Sequence, residues 1–171
     1  MHKADVHVYT DGAASGNPGP GGYGIVMEWV GTPYKKEFSQ GFTHTTNNRM
    51  ELLAVIEALR KLKKAPLKVL VFTDSKYVVD AVEKKWLQRW VKTNFKDKKN
   101  VDLWKAFLKE YPKHEVRFQW IKGHNNHPQN DHFTTILKIR DENFNPENQG
   151  LEFQSRKSGI QILQNHFETQ N

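Results

Sequence analysis

The sequence predicts an α/β domain in which a mixed β-sheet packs against helices. Two observations support this fold class: three strand-like stretches follow one another through short turns, and helical and strand patterns then alternate as far as residue 120. The chain has 171 residues, enough for one domain with its own core. We expect this domain to cover residues 1–140. A polar tail, residues 141–171, has a composition that favours disorder.

The first three predicted strands form an antiparallel meander. Val6, Val8 and Thr10 alternate with other residues in a strand that stops at Asp11, where a turn rich in glycine and proline follows. Residues 23–29 and 35–42 have the patterns of the second and third strands. The short turns between them favour antiparallel pairing.

A helix is predicted next, because apolar residues recur at helical spacing. They are Leu52, Val55, Ile56, Leu59 and Leu62. Thr46 is a suitable N-cap, and Pro66 closes the segment. The continuous apolar run 69–72 then predicts a central strand that is covered on both faces. It leads into Asp74, and Ser75 can cap the helix that follows.

Residues 84–99 differ in character, because lysines and arginine are interleaved with tryptophan and phenylalanine. A helix is predicted from Asn100 to Tyr111. Alternation in residues 115–120 predicts the last strand.

The composition limits the function classes. A formal charge of +7 and a pI near 9.5 favour a polyanionic partner, although a merely soluble basic protein has the same composition. The chain has no cysteine, which excludes disulfides and thiolate metal sites and suits a reducing compartment. No stretch has the length and apolarity of a signal core or a membrane span. We therefore expect a cytoplasmic monomer that does not associate with membranes.

Three acidic residues are the most informative feature of the chain: Asp11, Glu51 and Asp74. A carboxylate held at the end of a strand can meet a hard cation and a phosphate at the sheet edge. Each residue also has a simpler explanation, since an aspartate after a strand often forms a turn and Glu51 can complement the helix dipole. Three such coincidences together are less plausible than one site. The pattern predicts a metal site for phosphodiester cleavage.

Five fragments in register resemble the bacterial type 1 ribonuclease H family: TDGAASGNPGPGGYG, TNNRMEL, TDSKYV, KNVDLW and IKGH. The resemblance covers about residues 6–131. It implies a five-stranded mixed sheet, with antiparallel strands first and parallel strands after, flanked by helices. It also implies endonucleolytic hydrolysis of the RNA strand of an RNA/DNA hybrid with two Mg²⁺ ions, for which Mn²⁺ can substitute.

The resemblance assigns roles to individual residues. Asp11 bridges both ions, Glu51 and Asp74 each hold one or the other, and His124 assists proton transfer or product departure. Further residues resemble those that bind the substrate: Asn17, Asn47 and Asn48 in the minor groove of the hybrid, and Thr46 and Asn100 around a DNA phosphate. An N-cap role explains Thr46 and Asn100 equally well.

The segment 84–99 resembles the basic protrusion that contacts the DNA strand in bacterial members of the family. Its candidate binding residues are Lys84, Lys85, Trp86 and Trp90. Lysines supply salt-sensitive attraction and aromatic rings supply platforms for sugars and bases. The alternative is a solvated helix face whose tryptophans belong to the core.

The chain departs from the family pattern after the histidine loop. The last acidic ligand of the family is replaced by Thr134, and neither Asp131 nor Asp141 stands at the equivalent position. The second metal ion and full activity are therefore in question. The resemblance ends abruptly, as it would in a replaced or frame-shifted C-terminus. Two alternatives stay open: a hybrid-binding module with little or no catalysis, and an unrelated phosphoryl-transfer fold in which Asp11 is a nucleophile.

Overall fold

A computed structural model of the chain describes residues 3–122. Its strands are β1 (Val6–Ala14), β2 (Gly19–Trp29), β3 (Lys35–Thr45), β4 (Lys68–Thr73) and β5 (Glu115–Trp120). Its helices are α1 (Asn47–Arg60), α2 (Lys76–Glu83), α3 (Trp86–Lys92) and α4 (Val101–Glu110), and a short 3₁₀ helix (Tyr111–Lys113) precedes β5.

The five strands form one sheet in the order β3-β2-β1-β4-β5. The β1–β2 and β2–β3 pairs are antiparallel, and the β1–β4 and β4–β5 pairs are parallel. The predicted fold class is therefore confirmed. In this order β1 is the central strand, and it pairs with neighbours of both directions.

Helix α1 forms where the sequence predicts it. The Thr46 side chain accepts a hydrogen bond from the Arg49 backbone N–H at 3.2 Å, as an N-cap does. Its apolar face packs on β1, β2 and α4. The largest fully buried side chains of this core include Trp104, Phe107, Ile25, Met27, Met50 and Leu52.

A smaller apolar cluster lies apart from this core. Tyr9, Val26, Phe72 and Ile121 are its buried members, and the rings of Tyr9 and Phe72 stack with centroids 4.7 Å apart. Because Leu70 also joins this cluster while Val69 and Val71 belong to the larger core, β4 has apolar contacts on both faces. Its continuous apolar run predicts this arrangement.

Several predicted boundaries were wrong. β1 does not stop at Asp11 but runs to Ala14, because its pairing with β2 continues to Gly21. β3 extends past residue 42 to Thr45. Helix α1 ends at Arg60, well before Pro66. Glycines made the β1–β2 connection look like a long turn, whereas Gly12, Gly21 and Gly22 are paired strand residues.

Residues 123–171 lie outside the described part of the chain, and with them the predicted tail 141–171. Within residues 3–122, none of the helices has the length and apolarity that a bilayer crossing requires.

The buried His114 links the residues that directly precede β4 and β5. Its Nδ1 accepts a hydrogen bond from the Leu67 N–H at 3.2 Å, just before β4 begins. Burial lowers the pKa of the His114 imidazole from its ordinary value of 6.5. The folded protein therefore holds this side chain neutral, with Nδ1 available as an acceptor.

We expect the free energy of unfolding to decrease as the pH falls below 6.5. The unfolded chain then binds a proton at His114 more readily than the folded chain, down to the lowered pKa. Urea denaturation between about pH 5 and about pH 8 measures this dependence. His114→Asn keeps an acceptor oxygen without titrating, so it should flatten the curve. An equal slope in His114→Asn and the unchanged chain would contradict this expectation.

Candidate metal centre and nucleic-acid interface

The structure brings the three predicted acids together. Asp11, Glu51 and Asp74 each offer a carboxylate oxygen, and these oxygens all lie within 4.8 Å of one another. Asp11 is buried, and the other two are half-buried. Three carboxylates at such short range repel one another, and a divalent cation among them would remove that repulsion.

The parallel pairing of β1 and β4 explains why two of the acids meet. Tyr9 is paired with Phe72, so Asp11 and Asp74 are both two residues further along their chains, at the same edge of the sheet. Asp74 directly follows the last residue of β4, Thr73. Strand order and register thus place these two carboxylates side by side.

Glu51 is brought to the same place by a close contact between β1 and α1. A Cβ atom added to Gly12 would lie 2.5 Å from the backbone carbon of Met50 and 2.6 Å from the backbone nitrogen of Glu51. Real Cβ atoms do not approach backbone that closely, so only glycine permits this packing. The residue after Asp11 therefore sets the distance between β1 and the helix that carries Glu51.

Glu51 is the fifth residue of α1, and the first turn of this helix contains no acidic residue. The simpler explanation, that Glu51 complements the helix dipole, is therefore weak, because that effect is confined to the first turn.

The donor set suits a hard divalent cation. Mg²⁺ and Mn²⁺ prefer carboxylate oxygens, and Mg²⁺ commonly takes only a few ligands from protein. Two ligands on opposite sides of one Mg²⁺ are about 4.2 Å apart, close to the 4.8 Å limit seen here. Asp11, Glu51 and Asp74 would hold such an ion from three separate elements.

Two of the predicted minor-groove residues are fixed by backbone contacts. The Asn47 Oδ1 accepts a hydrogen bond from the Ala14 N–H at 2.6 Å, and the Asn17 Oδ1 accepts one from the Asn47 N–H at 3.2 Å. With their oxygens engaged, both exposed amides keep their Nδ2–H groups as hydrogen-bond donors. Asn48 is exposed beside them in the first turn of α1. The three asparagines thus form one group at the start of α1.

Thr46 and Asn100 are linked through Arg49. Thr46 caps α1 as predicted, but the Asn100 side chain makes no capping hydrogen bond to α4. Instead the Asn100 Oδ1 accepts a 3.4 Å hydrogen bond from Arg49, and its Nδ2 donates to the Tyr77 hydroxyl at 3.1 Å. The explanation of Asn100 as a side-chain cap is therefore wrong. Its left-handed backbone (φ 61°) is one that asparagine tolerates.

Sequence reasoning missed the other members of this network. Arg49 forms a bidentate pair with Asp102 at 3.0 and 2.8 Å, and Trp104 Nε1 donates to the Tyr77 hydroxyl at 2.8 Å. The hydrogen bonds from Arg49 lower the pKa of the Asp102 carboxyl, so the pair persists at neutral pH. Arg49 stands inside the TNNRMEL fragment, and KNVDLW contains both partners in α4. The presence of Arg49 and of Asp102 and Trp104 in these two fragments was the only sign that they could interact.

The segment 84–99 is partly exposed and partly core. Lys84 and Lys85 are exposed, and the Lys84 ammonium lies 5.2 Å from the centroid of the half-buried Trp86 ring. Trp90 packs edge-on against the buried Trp104, with centroids 5.5 Å apart. The tryptophans line a groove of about 590 Å³, whose other lining residues are Arg89, Thr93, Lys96, Asp97 and Lys98.

His124 and Thr134 lie outside the described residues. Their predicted roles, in proton transfer and at the position of a missing carboxylate, remain predictions.

Gly12→Ala should separate Glu51 from Asp11 and weaken cation binding. The added methyl group meets backbone atoms of α1, which cannot rotate away, so we expect a loss of about 1–3 kcal/mol in stability as well. Calorimetric titration with Mg²⁺ and thermal unfolding measure the two effects. Ser15→Ala, at an exposed position directly after β1, is the control. Unchanged Mg²⁺ affinity in Gly12→Ala would show that the contact does not set the site geometry.

Comparisons with known proteins identify the family. The model of the RNase H family matches residues 3–135. Ribonuclease H of Nitratidesulfovibrio vulgaris is 48% identical over 145 residues, covering 82% of this chain and 91% of its own. Ribonuclease H of Desulforamulus reducens is 51% identical over 132 residues, covering 74% and 81%.

Solved structures agree with these sequence matches. LC9-RNase H1, described as a type 1 RNase H with the type 2 active-site motif, is 29% identical with a TM-score of 0.69 and covers 83% of this chain and 74% of its own. The RNase H domain of prototype foamy virus is 26% identical with a TM-score of 0.67, covering 83% and 95%. Members of this family generally use divalent metal ions, which the acidic cluster suits. The chain belongs to the ribonuclease H family of nucleases.

Proposed function

We propose that this protein hydrolyses the RNA strand of RNA/DNA hybrids, with Asp11, Glu51 and Asp74 holding two Mg²⁺ ions. The observation that carries the proposal is the convergence of three carboxylate oxygens within 4.8 Å, in a chain of the ribonuclease H family. When bound, two divalent cations stabilise the attacking and leaving oxygens of a phosphodiester together. Membership in the family removes the alternative of an unrelated phosphoryl-transfer fold.

The protein's own contribution is a rigid arrangement of the ligands. Asp11 is 3% exposed and lies on the central strand, so its carboxylate has little freedom to move. Glu51 is held on α1, and Asp74 on the short link between β4 and α2. Ligands fixed before the substrate arrives need no reorganisation during the reaction. By resemblance, His124 would assist proton transfer or product departure.

The asparagine group at the start of α1 is suited to the minor groove of a hybrid. Asn17 and Asn47 present amide donors, and the minor groove offers base acceptors and 2′-hydroxyl oxygens. Asn48 is exposed beside them and free to orient either end of its amide. We propose that these three residues distinguish the RNA strand through its 2′-hydroxyls.

Thr46 and Asn100 would bind a phosphate of the DNA strand. Both lie beside Arg49, whose backbone N–H bonds to Thr46 and whose guanidinium bonds to Asn100. The first N–H groups of α1, which has no acid in its first turn, add positive potential at this point. Arg49 thereby joins two residues that are far apart in sequence into one anion-binding surface.

The basic segment would extend this contact along the DNA strand. Lys84 and Lys85 are exposed, and Trp86 presents part of its ring to the groove. These residues combine positive charge with an aromatic surface, as proteins that track a nucleic-acid backbone do. Trp90 contributes mainly to packing, because it contacts Trp104 in the core.

Thr134 favours a second candidate function, a hybrid-binding module with little or no catalysis. A hydroxyl at the position of a family carboxylate supplies no negative charge to a divalent ion. The three remaining carboxylates would still hold divalent ions, and substrate phosphate would supply further oxygen ligands. We therefore propose an active nuclease that requires more Mg²⁺ than a complete site does.

A cleavage assay on an RNA/DNA hybrid separates the two functions. We expect the unchanged chain to cut the RNA strand when Mg²⁺ is present. Asp11→Asn should reduce the rate by at least about two orders of magnitude, because it removes a buried ligand charge. Asp11→Asn should also unfold at a higher temperature in metal-free buffer, because it relieves repulsion among the carboxylates. Glu83→Gln, at an exposed position, is the control for lost charge.

Binding of the hybrid without cleavage above the Asp11→Asn background would overturn the nuclease proposal and support the binding module. A duplex of DNA alone serves as the substrate control, since it lacks 2′-hydroxyls.

Arg49→Met should raise the KM for the hybrid about tenfold with little change in kcat, because it dismantles the phosphate surface and leaves the carboxylates in place. The Arg49–Asp102 pair is largely exposed on the Asp102 side, so the stability loss should not exceed about 1 kcal/mol. Arg60→Met is a matched control, since Arg60 pairs with Glu57 at the other end of α1. Equal KM values for the two variants would contradict the role of Arg49.

Thr134→Asp should lower the Mg²⁺ concentration at half-maximal cleavage, because it restores the missing carboxylate. Thr135→Asp adds the same charge one residue away and is the matched control. The Mg²⁺ concentration at half-maximal cleavage is measured for both variants. If it falls equally in both, or in neither, Thr134 does not occupy the ligand position.

A further inference from the structure

Asp74 occupies a link of one residue between two regular elements. The ladder of β4 ends at Thr73, which pairs with Trp120, and Ser75 is already the N-cap of α2. The Asp74 peptide therefore lies just beyond the backbone hydrogen bonds of the sheet and just before those of the helix. A ligand carried on such a link needs another contact to fix its direction.

The side chain of Trp120 supplies one such contact. Its Nε1–H donates a hydrogen bond to the main-chain carbonyl of Asp74 at 3.1 Å. The sheet register brings Trp120 to this position, since the Ile121 N–H also donates to the Thr73 carbonyl at 3.0 Å. Beyond the end of the β4–β5 ladder, β5 thus contacts the Asp74 peptide through the side chain of Trp120.

Burial in the core does not explain the orientation of the Trp120 ring. Trp120 is 37% exposed, which places it among the exposed large apolar side chains of the described chain. Its ring is held from another side by Lys76, the first residue of α2, whose ammonium lies 4.8 Å from the ring centroid. Lys76 forms no ion pair with any carboxylate in residues 3–122. An exposed indole with both its N–H edge and its face engaged is oriented by specific contacts.

We propose that Trp120 is a positioning residue for the metal centre: its indole N–H fixes the peptide of Asp74 and so directs the Asp74 carboxylate toward Asp11 and Glu51. Lys76 keeps the indole in the required orientation. The inference rests on the proposed function, because it takes Asp74 as a cation ligand. Trp120 itself is neither a proposed ligand nor a proposed substrate contact.

Trp120→Phe tests the hydrogen bond, because it keeps an aromatic ring and removes the donor. We expect the Mg²⁺ concentration at half-maximal cleavage, and the Mg²⁺ dissociation constant from calorimetry, to rise about 2- to 12-fold. That factor corresponds to a net hydrogen bond of about 0.5–1.5 kcal/mol. Saturating Mg²⁺ should restore kcat, and the KM for the hybrid should not change. Trp120→Leu should give the same shift, since it also lacks the donor.

Trp29→Phe is the matched control, because Trp29 is the last residue of β2 just as Trp120 is the last residue of β5. Trp29 pairs with Val6, at the end of the sheet away from Asp11. Within residues 3–122, the Trp29 indole donates no hydrogen bond. Its replacement should leave the Mg²⁺ affinity unchanged. A purely structural role of Trp120 would lower the melting temperature and reduce kcat equally at all Mg²⁺ concentrations.

Hydrogen exchange of the indole N–H measures the contact without any substitution at Trp120. The Trp120 Nε1–H should exchange more slowly than that of a solvated indole despite the exposure of the ring, and Lys76→Met should accelerate it.

An Mg²⁺ affinity of Trp120→Phe equal to that of the unchanged chain would overturn the assignment. Fast exchange of the Trp120 indole N–H would overturn it as well. Calorimetry records cation binding without cleavage, so failures of the two proposals are distinguishable. Suppose that the unchanged chain binds Mg²⁺ without cutting the hybrid, and that Trp120→Phe binds Mg²⁺ more weakly. This pair of results would overturn the nuclease function and support the role of Trp120.

Discussion

The close approach of the central strand to the first helix is the constraint on which the site depends. At Gly12 the backbone of β1 comes so near to Met50 and Glu51 that no side chain fits between them. Since β1 carries Asp11 one residue earlier, this contact fixes two of the three carboxylates relative to each other. The third follows from the sheet, because β4 pairs in parallel with β1 and delivers Asp74 to the same edge. Helix packing and strand register therefore determine the geometry of the acidic cluster jointly.

The charges of the molecule divide into two parts with opposite effects on a nucleic acid. The chain as a whole carries a formal charge of +7, and many of its lysines lie in the segment 84–99, which would attract phosphates over long distances. The acidic cluster would repel the same phosphates at short range. Divalent cations bound by the three carboxylates would reverse the sign of the potential at that point. Attraction to the surface and access to the reacting centre are thus controlled by different residues.

The sequence allowed the fold class and the three acids to be predicted, because both depend on local patterns. Alternation and helical spacing identify the elements, and each acid lies within or directly after one of them. The Arg49 network could not be derived in this way, since Arg49 and Asp102 are 53 residues apart and meet only when α1 packs against α4. The length of β1 was also missed, because Gly12, Gly21 and Gly22 suggest a turn but are paired residues of β1 and β2. Asn100 occupies a capping position, yet its side chain bonds to Arg49 and Tyr77 because its backbone is left-handed.

The position of Asp11 on the central strand has a consequence for how the protein would respond to a bound cation. A ligand on a loop can detach by local fluctuation, but β1 is paired on both sides, with β2 and β4. Moving Asp11 away from its neighbours requires opening the middle of the sheet, which amounts to global unfolding. Binding to the native state alone stabilises it in proportion to the logarithm of the free ligand concentration. Magnesium supply should therefore influence the lifetime of this protein against proteolysis even when no nucleic acid is present.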